Sequence, residues 1–314
     1  MSSKLLYYLT FVKINMYISV DWKGDNMKKG YTYAILAAIL FGTVGLFVKM
    51  AHSTGLDSVS LLTVQYMLSV TIMFGYGTLR DRKAFAVGRK KLLELAVFAV
   101  AGNTFMALFY YMAFEYLPVA MVTILLFTYP VLIFIFTLLF EKGNMLFRKG
   151  AAIGLAFTGC ILALNIGPGQ AEYPLIGIIL GLMCALFYAF MNIFCEKRLH
   201  DVDALAINAY TALFSLIALC IYRFPFFVFN GELKYESLIY IAILAVFSQI
   251  VPLTMIYSAI KNIGALKVSI IGNLEIPIAA FVAYIVLGEK LTLIQILGSV
   301  LIISAIIIIQ RGDA

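Results

Sequence analysis

Residues 119–142 read VAMVTILLFTYPVLIFIFTLLFEK. From Val119 to Phe140 no charged residue interrupts the run, and Glu141-Lys142 closes it. About 20 such residues, rising ~1.5 Å each, cross the hydrocarbon of a bilayer. The run shows no alternation of polar and apolar residues, so a barrel strand is a poor fit. A helix, which satisfies its own backbone in lipid, is the expected element. Nine further runs of the same kind flank it: Tyr31–Met50, Ser58–Leu79, Leu92–Phe114, Arg148–Ile166, Pro174–Cys195, Ala204–Tyr222, Ser237–Ile260, Ala265–Leu287 and Thr292–Gln310. Composition agrees: 63% of the 314 residues are hydrophobic, 12% are charged, and mean hydropathy is +1.01. Soluble domains hold about 45–50% apolar and ~25% charged residues. A soluble enzyme, a disordered chain and a disulfide-rich secreted module are thereby excluded. The connections are too short to fold as domains, so any chemistry belongs to residues within or at the ends of the helices.

Charge predicts the orientation. With the N-terminus in the cytoplasm, four of the 23 basic residues (Lys49, Arg223, Lys234 and Lys290) fall outside and the rest inside. That bias fits the positive-inside rule with both termini cytoplasmic. It also disperses the net charge of +7 over inside loops, so no nucleic-acid groove is expected. In the first 26 residues, Leu5–Val12 is too short to span and is stopped by Lys13 and Asn15. Met27-Lys28-Lys29-Gly30 reads as a natural start, so residues 1–26 are expected to be an extension from a start codon placed too early; a short interfacial helix is the other reading.

The chain repeats itself. Leu40-Phe41 recurs as Leu186-Phe187, Asp57 as Asp203, and Tyr111-x-Ala113 as Tyr257-x-Ala259, all 146 residues apart. Pro130 then matches Pro277, and Glu141-Lys142 matches Glu289-Lys290, with the register slipping by one and two residues. Each unit holds five helices. An odd number makes the second copy enter the membrane from the opposite face, giving an inverted-topology repeat of the kind found in secondary transporters. The expected organisation is an extension (1–26), a first repeat (27–166), a linker with the Gly167–Gly169 break (167–173) and a second repeat (174–314). The fold class is all-α integral membrane, with ten transmembrane helices.

Two five-helix halves, a proline midway along the fourth and ninth helices, and the Leu274-Glu275-x-Pro277 phrase followed by Gly288-Glu289-Lys290 resemble the EamA family of the drug/metabolite transporter superfamily. The first copy has Tyr129 near the Glu275 position and Phe140 in place of Gly288. The resemblance covers about Gly30 to Gln310. It implies a multi-pass protein of a bacterial-style plasma (inner) membrane that moves a small organic metabolite, with export as the implied direction. It leaves the solute open among amino acids, carboxylates, amines and drug-like molecules.

Polar groups are costly in hydrocarbon unless they face a cavity or a partner. Glu275 lies near mid-helix beside Pro277, which cannot donate its backbone hydrogen bond. It is a candidate for the substrate cavity and for proton coupling, or alternatively a capped structural Glu. Asn103 and Gln249 are repeat mates 146 residues apart, and form either an amide pair in the cavity or helix–helix bonds. Asn273, Tyr129 and Tyr188 join the cavity list. Tyr111 and Tyr257 are repeat mates that act as gates or as interfacial belt residues. Pro130, Pro252 and Pro277 are helix-kink candidates. Lys267 and Lys49 suit snorkelling to the interface. Glu141 and Glu289 suit turns into the next helix, and Gly42, Gly45, Gly177 and Gly181 suit close helix packing.

Weaker patterns carry less. His52-xxxx-Asp57 matches an acyltransferase pattern, but the repeat explains Asp57 as a helix-start residue. Four scattered cysteines show no CxxC spacing, and no P-loop is present, so no metal, cofactor or direct ATP drive is expected. The expectation is therefore a secondary active transporter of alternating access whose partners are a small solute, protons as a coupling ion, and lipid. A monomer suffices and a dimer stays open. An integral membrane enzyme or a non-transporting membrane sensor are the alternatives.

Overall fold

The computed structural model describes residues 26–80, 85–140, 146–163, 173–229, 235–287 and 292–310. The extension up to residue 25, Glu141-Lys142, most of the linker with its Gly167–Gly169 break, and Glu289-Lys290 lie outside the described residues. Among the described residues every regular element is helical. The first apolar run forms α1 (Asn26–Phe41) and α2 (Val44–His52) around Gly42-Thr43. The second is α3 (Ser58–Arg80). The third is α4 (Arg89–Val97), a π turn (Phe98–Thr104) and α5 (Phe105–Tyr116). The fourth divides into α6 (Val119–Leu126) and α7 (Tyr129–Phe140), and α8 (Leu146–Ala163) follows.

In the second half, α9 (Leu175–Arg198) and α10 (Ala204–Tyr222) are unbroken, and the one-turn α11 (Phe226–Phe229) follows. Then come α12 (Tyr235–Leu244), a π turn (Ala245–Ile250) and α13 (Val251–Ile263). The ninth run divides into α14 (Ala265–Gly272) and α15 (Glu275–Leu287), and α16 (Leu293–Gln310) ends the described chain. Seven of these rods are long and apolar enough to cross a membrane.

The interruptions obey the repeat. Adding 146 to Leu126 and Tyr129 gives Gly272 and Glu275, so both halves break their fourth rod at one position. The same shift carries 98–104 onto 244–250, which covers the second π turn. The Gly42-Thr43 break has no counterpart, since residues 188–189 lie inside α9. Each break is closed locally. The Thr43 and Thr128 hydroxyls donate to the carbonyls of Leu40 (2.9 Å) and Leu125 (2.7 Å). The Asn273 amide donates to the carbonyls of Ser269 and Ile270, at 3.2 and 3.0 Å. The three kink-candidate prolines each sit in the first turn of the segment after an interruption: Pro130 in α7, Pro252 in α13 and Pro277 in α15. For Pro130 and Pro277 the missing N–H is one that a helix start leaves unbonded anyway.

Polarity is inverted relative to a soluble protein. Phe147, Ile221, Leu175 and Leu293 are exposed, while Gln65, Asn103, Asn208 and Gln249 are buried. Small residues bring the rods together. A Cβ on Gly177 would lie 2.7 Å from Leu117, and one on Gly181 would lie 2.6 Å from Leu125, which fits α9 closely against the turn from α5 to α6. At the crossing of α8 and α16, a Cβ on Gly298 would run into the Ala163 nitrogen and lie 2.5 Å from the Gly159 carbonyl. Both obstacles are backbone and cannot rotate away. Gly298→Leu is therefore expected to cost at least ~1–3 kcal/mol and to lower the thermal midpoint of the detergent-solubilised protein. Gly154→Ala, where a Cβ meets open space, should leave the midpoint unchanged or slightly raised.

Candidate functional site

The buried side chains form two clusters, one around Phe98, Met191, Tyr257 and Ile260, the other around Leu62, Tyr66, Tyr111 and Leu125. A small cavity of about 70 Å³ lies at their seam. Its polar lining comes from both halves: Gln65 and Tyr66 of α3, Asn103 of the first π turn, Tyr110 and Tyr111 of α5, Tyr188 of α9, Ser248 and Gln249 of the second π turn, and Glu275 of α15. Phe41, Val44, Leu126 and Leu253 are among its apolar walls.

The two π turns are where the lining amides sit, and their freed carbonyls decide how those amides are turned. Asn208 Nδ2 donates to the carbonyls of Gln249 (2.7 Å) and Ile250 (3.0 Å) and to Thr254 Oγ1 (2.9 Å). Its Oδ1 must therefore be the acceptor for Gln249 Nε2, 3.1 Å away. Ser215 Oγ donates to the Ala99 carbonyl at 3.3 Å, so it can only accept from Asn103 Nδ2, at 3.0 Å. Asn103 Nδ2 also reaches Tyr66 Oη at 2.8 Å. Gln65 Nε2 donates to Ser248 Oγ (3.0 Å) and contacts the Leu244 carbonyl (3.5 Å), while its oxygen accepts from Tyr111 Oη at 2.8 Å.

Glu275 opens α15 and is half-buried, with no hydrogen bond or ion pair to its carboxylate among the described residues. Against it stands the break after α1: a Cβ on Gly42 would lie 3.1 Å from the Glu275 carbonyl and 3.0 Å from Ile278. The repeat-equivalent pair is Tyr188 and Tyr129, whose rings pack at 4.5 Å. The position of Gly42 is thus taken by Tyr188 in the second half, and that of Glu275 by Tyr129 in the first.

Of the residues singled out from sequence, Asn103, Gln249, Glu275, Tyr188 and Tyr111 line the cavity. Asn273, Tyr129 and Tyr257 are not among its lining residues. Asn273 is engaged with the α14 carbonyls and accepts from Cys160 Sγ at 3.1 Å, because the break must be closed. Tyr129 Oη donates to the Ser269 carbonyl at 3.2 Å. Tyr257 packs edge-on against Phe98 at 5.6 Å. Gln65, Tyr66, Tyr110 and Ser248 line the cavity without having been singled out. Their signal was weak: the repeat positions of Gln65 and Tyr66 are Thr211 and Ala212, so symmetry did not flag them.

Polar contacts join the two halves on either side of the cavity. Lys91 pairs with Asp201 at 2.8 Å and donates to the Arg198 carbonyl. Adding 146 to Lys91 gives Ser237, whose hydroxyl donates to Thr54 Oγ1 at 2.7 Å. Asp57 pairs with Arg223 at 3.0 Å and caps α3, accepting from the N–H groups of Val59 (3.0 Å) and Ser60 (3.1 Å). The His52-xxxx-Asp57 pattern is thus a capping arrangement, with His52 Nδ1 3.0 Å from the Leu56 carbonyl. The Lys91 hydrogen bond holds the Asp201 carboxyl below its ordinary range. Partial burial alone would raise Asp57, but the Ser60 bonds and Arg223 outweigh it and hold that carboxyl low as well.

The model of the EamA-like transporter family matches the chain twice, over residues 28–165 and 175–311. The chain belongs to the EamA-like transporter family. An uncharacterized transporter of Archaeoglobus fulgidus is 27% identical over 91% of this chain and 97% of that protein. The uncharacterized transporter YcbK of Bacillus subtilis is 23% identical over 86% and 88% of the two chains. The uncharacterized inner membrane transporter YicL of Salmonella typhimurium is 23% identical over 91% and 96%. A solved crystal structure shares the fold at a TM-score of 0.72 and 13% identity, covering 91% of this chain and 99% of its own. This family and these membrane-length helices make the chain a multi-pass membrane protein.

The Asp57 cap and its ion pair can be separated. Asp57→Ala should cost ~1 kcal/mol through the lost cap, and Arg223→Gln under ~1 kcal/mol, because that pair is exposed. A lowered carboxylate stabilises above its unfolded pKa and loses that effect as pH falls through its folded one. The gap in thermal midpoint between wild type and Asp57→Ala should therefore shrink on acidification below the carboxylate range.

Proposed function

We propose that this family member is a secondary active transporter that moves a small organic solute by alternating access. The cavity carries the reading: it lies between the halves, draws polar side chains from both, and holds one carboxylate amid apolar walls. In this reading the chain crosses the membrane ten times, as two inverted five-helix repeats with both termini cytoplasmic. Exchange of conformation between the halves then turns a cavity open to one face into one open to the other. The distribution of Lys and Arg supports the orientation, and a relative named as an inner membrane transporter supports a bacterial plasma membrane. Export is the direction we assign, following the family resemblance. One chain supplies the entire cavity lining, so a monomer is sufficient, and a solute, protons and lipid are its partners.

Glu275 is the coupling group in this scheme. Its carboxylate stands in the cavity without a protein counter-ion among the described residues and can pick up and release a proton as the two faces alternate. The contacts on either side of the cavity act as latches. Lys91 with Asp201 and Arg198 holds the cytoplasmic side, while Asp57 with Arg223 and Ser237 with Thr54 holds the external side.

Two measurements test this. Purified protein in liposomes should exchange a labelled metabolite by counterflow, and Glu275→Gln should remove the response of transport to an imposed pH gradient. Transport whose pH response survives that substitution overturns proton coupling, and product formation without movement favours a membrane enzyme instead. The latches are read with a cysteine placed in the cavity by Ser248→Cys, in a chain otherwise freed of cysteine. Arg223→Gln should raise its labelling by an impermeant external thiol reagent several-fold, whereas Lys91→Gln should lower it. Equal effects of both on labelling overturn the latch assignment.

A further inference from the structure

The amide groups of the cavity are not balanced between donors and acceptors. The lining amide nitrogens are engaged within the protein: Asn103 Nδ2 with Tyr66 and Ser215, Gln65 Nε2 with Ser248, and Gln249 Nε2 with Asn208. The orientation of the Asn103 and Gln249 amides is dictated by backbone carbonyls, which can only accept. Among the amides the oxygens are the groups left over, while the Tyr110, Tyr188 and Ser248 hydroxyls can donate or accept. Asn103 Oδ1 is buried and accepts no hydrogen bond, and Gln249 Oε1 accepts none among the described residues. The Glu275 carboxylate, an acceptor when ionised, is likewise without a donor there. No Lys, Arg or His is among the lining residues, so the charge of the cavity is that of Glu275.

We infer that the solute is a primary or secondary organic amine bound as its ammonium, with Glu275 as counter-ion and the Asn103 and Gln249 oxygens accepting its N–H groups. The assignment rests on reading this cavity as the transport site. An ammonium supplies N–H donors where acceptors are free, and places a positive charge beside the one negative group. A carboxylate solute would face Glu275 with no cation to offset the repulsion. A zwitterionic amino acid would bury its own carboxylate without a cationic partner, a costly arrangement in a desolvated site. The rings of Tyr66, Tyr110 and Tyr188 in the same lining suit a cation bearing an apolar body.

The test uses the full-length protein in lipid nanodiscs and four probes of one skeleton: phenethylamine, its N,N,N-trimethyl derivative, 2-phenylethanol and 3-phenylpropionate. By isothermal titration calorimetry near neutral pH, phenethylamine should bind at least ~10-fold more tightly than the alcohol or the carboxylate, the margin expected of a charge-assisted bond. The trimethyl derivative keeps the charge but has no N–H. It should bind at least ~5-fold more weakly than the primary amine, reporting on the free amide oxygens. Glu275→Gln should weaken phenethylamine by at least ~10-fold and leave 2-phenylethanol unchanged. The inference is overturned if the alcohol or the carboxylate matches the amine, if the amine shows no binding up to about 10 mM, or if Glu275→Gln leaves its affinity intact. The probe series on the unaltered protein decides the class even where the variant fails to fold. Counterflow of labelled probes separates the two readings. Amine binding without movement keeps the amine site and removes the transporter, whereas movement of 3-phenylpropionate without phenethylamine keeps the transporter and removes the amine.

Discussion

Hydrocarbon offers a peptide group nothing to bond with, so each interruption of a helix within the membrane has to be closed by the protein itself. The described residues contain five: Gly42-Thr43, Phe127-Thr128, Asn273-Leu274 and the two π turns. Thr43, Thr128 and Asn273 cover the carbonyls freed at the first three. At the first π turn Ser215 and Thr104 both donate to the Ala99 carbonyl. At the second, Asn208 reaches across from α10 to the carbonyls of Gln249 and Ile250. Irregular backbone is tolerated at membrane depth where it borders a cavity or is buried in protein. Residues at or beside these interruptions, from Phe41 and Leu126 to Asn103, Gln249 and Glu275, line a single space. The cavity and the breaks are one feature.

The repeat gives the two halves equivalent frameworks, but side chains make the cavity one-sided. Position 42 is glycine in the first half and Tyr188 in the second; position 129 is Tyr129 in the first half and Glu275 in the second. The glycine lets the α1–α2 break approach the Glu275 backbone, while at the repeat-equivalent positions the rings of Tyr188 and Tyr129 pack on each other. A symmetric pair of carboxylates would place two like charges near one another in a low dielectric, which drives one to stay protonated. Keeping the framework while replacing one carboxylate by tyrosine leaves a single charge against a rigid aromatic wall.

The rods were legible in the sequence because apolar length is a strong signal that survives errors of a few residues. The repeat was legible from a handful of matches at one spacing. Where each rod breaks was less so. Pro130, Pro252 and Pro277 flagged the neighbourhoods, yet the Gly42-Thr43 break has no proline and no repeat partner, and π turns have no compositional signature. Within the site, Asn103 and Gln249 were found because they are repeat mates. Gln65, Tyr66 and Ser248 escaped because their repeat positions are Thr211, Ala212 and Gly102, and a one-dimensional pattern does not show that α3 sets Gln65 against Ser248 and Tyr66 against Asn103. An amide within an apolar run, such as Asn273, suggests a cavity-facing group. Only the local geometry shows its donors already taken by α14.

The same bookkeeping explains why the cavity is rich in acceptors. A helix that breaks at its C-terminal side frees carbonyls, and prolines at the start of the next segment leave fewer N–H groups to be satisfied there. Side-chain donors nearby are consequently drawn to backbone: the amide of Asn208 to Gln249 and Ile250, the hydroxyl of Ser215 to Ala99, the amide of Asn273 to Ser269 and Ile270. Each donor so engaged turns its amide oxygen elsewhere, or obliges its neighbour to donate to it, as Asn208 does Gln249 and Ser215 does Asn103. Unpaired oxygens accumulate at the end of these chains, in the lining itself. A site assembled around broken helices thus acquires a preference for solutes that donate hydrogen bonds, before any charge is placed in it. Glu275, at the first position of α15, adds its negative charge to a cavity whose polarity the backbone had already set.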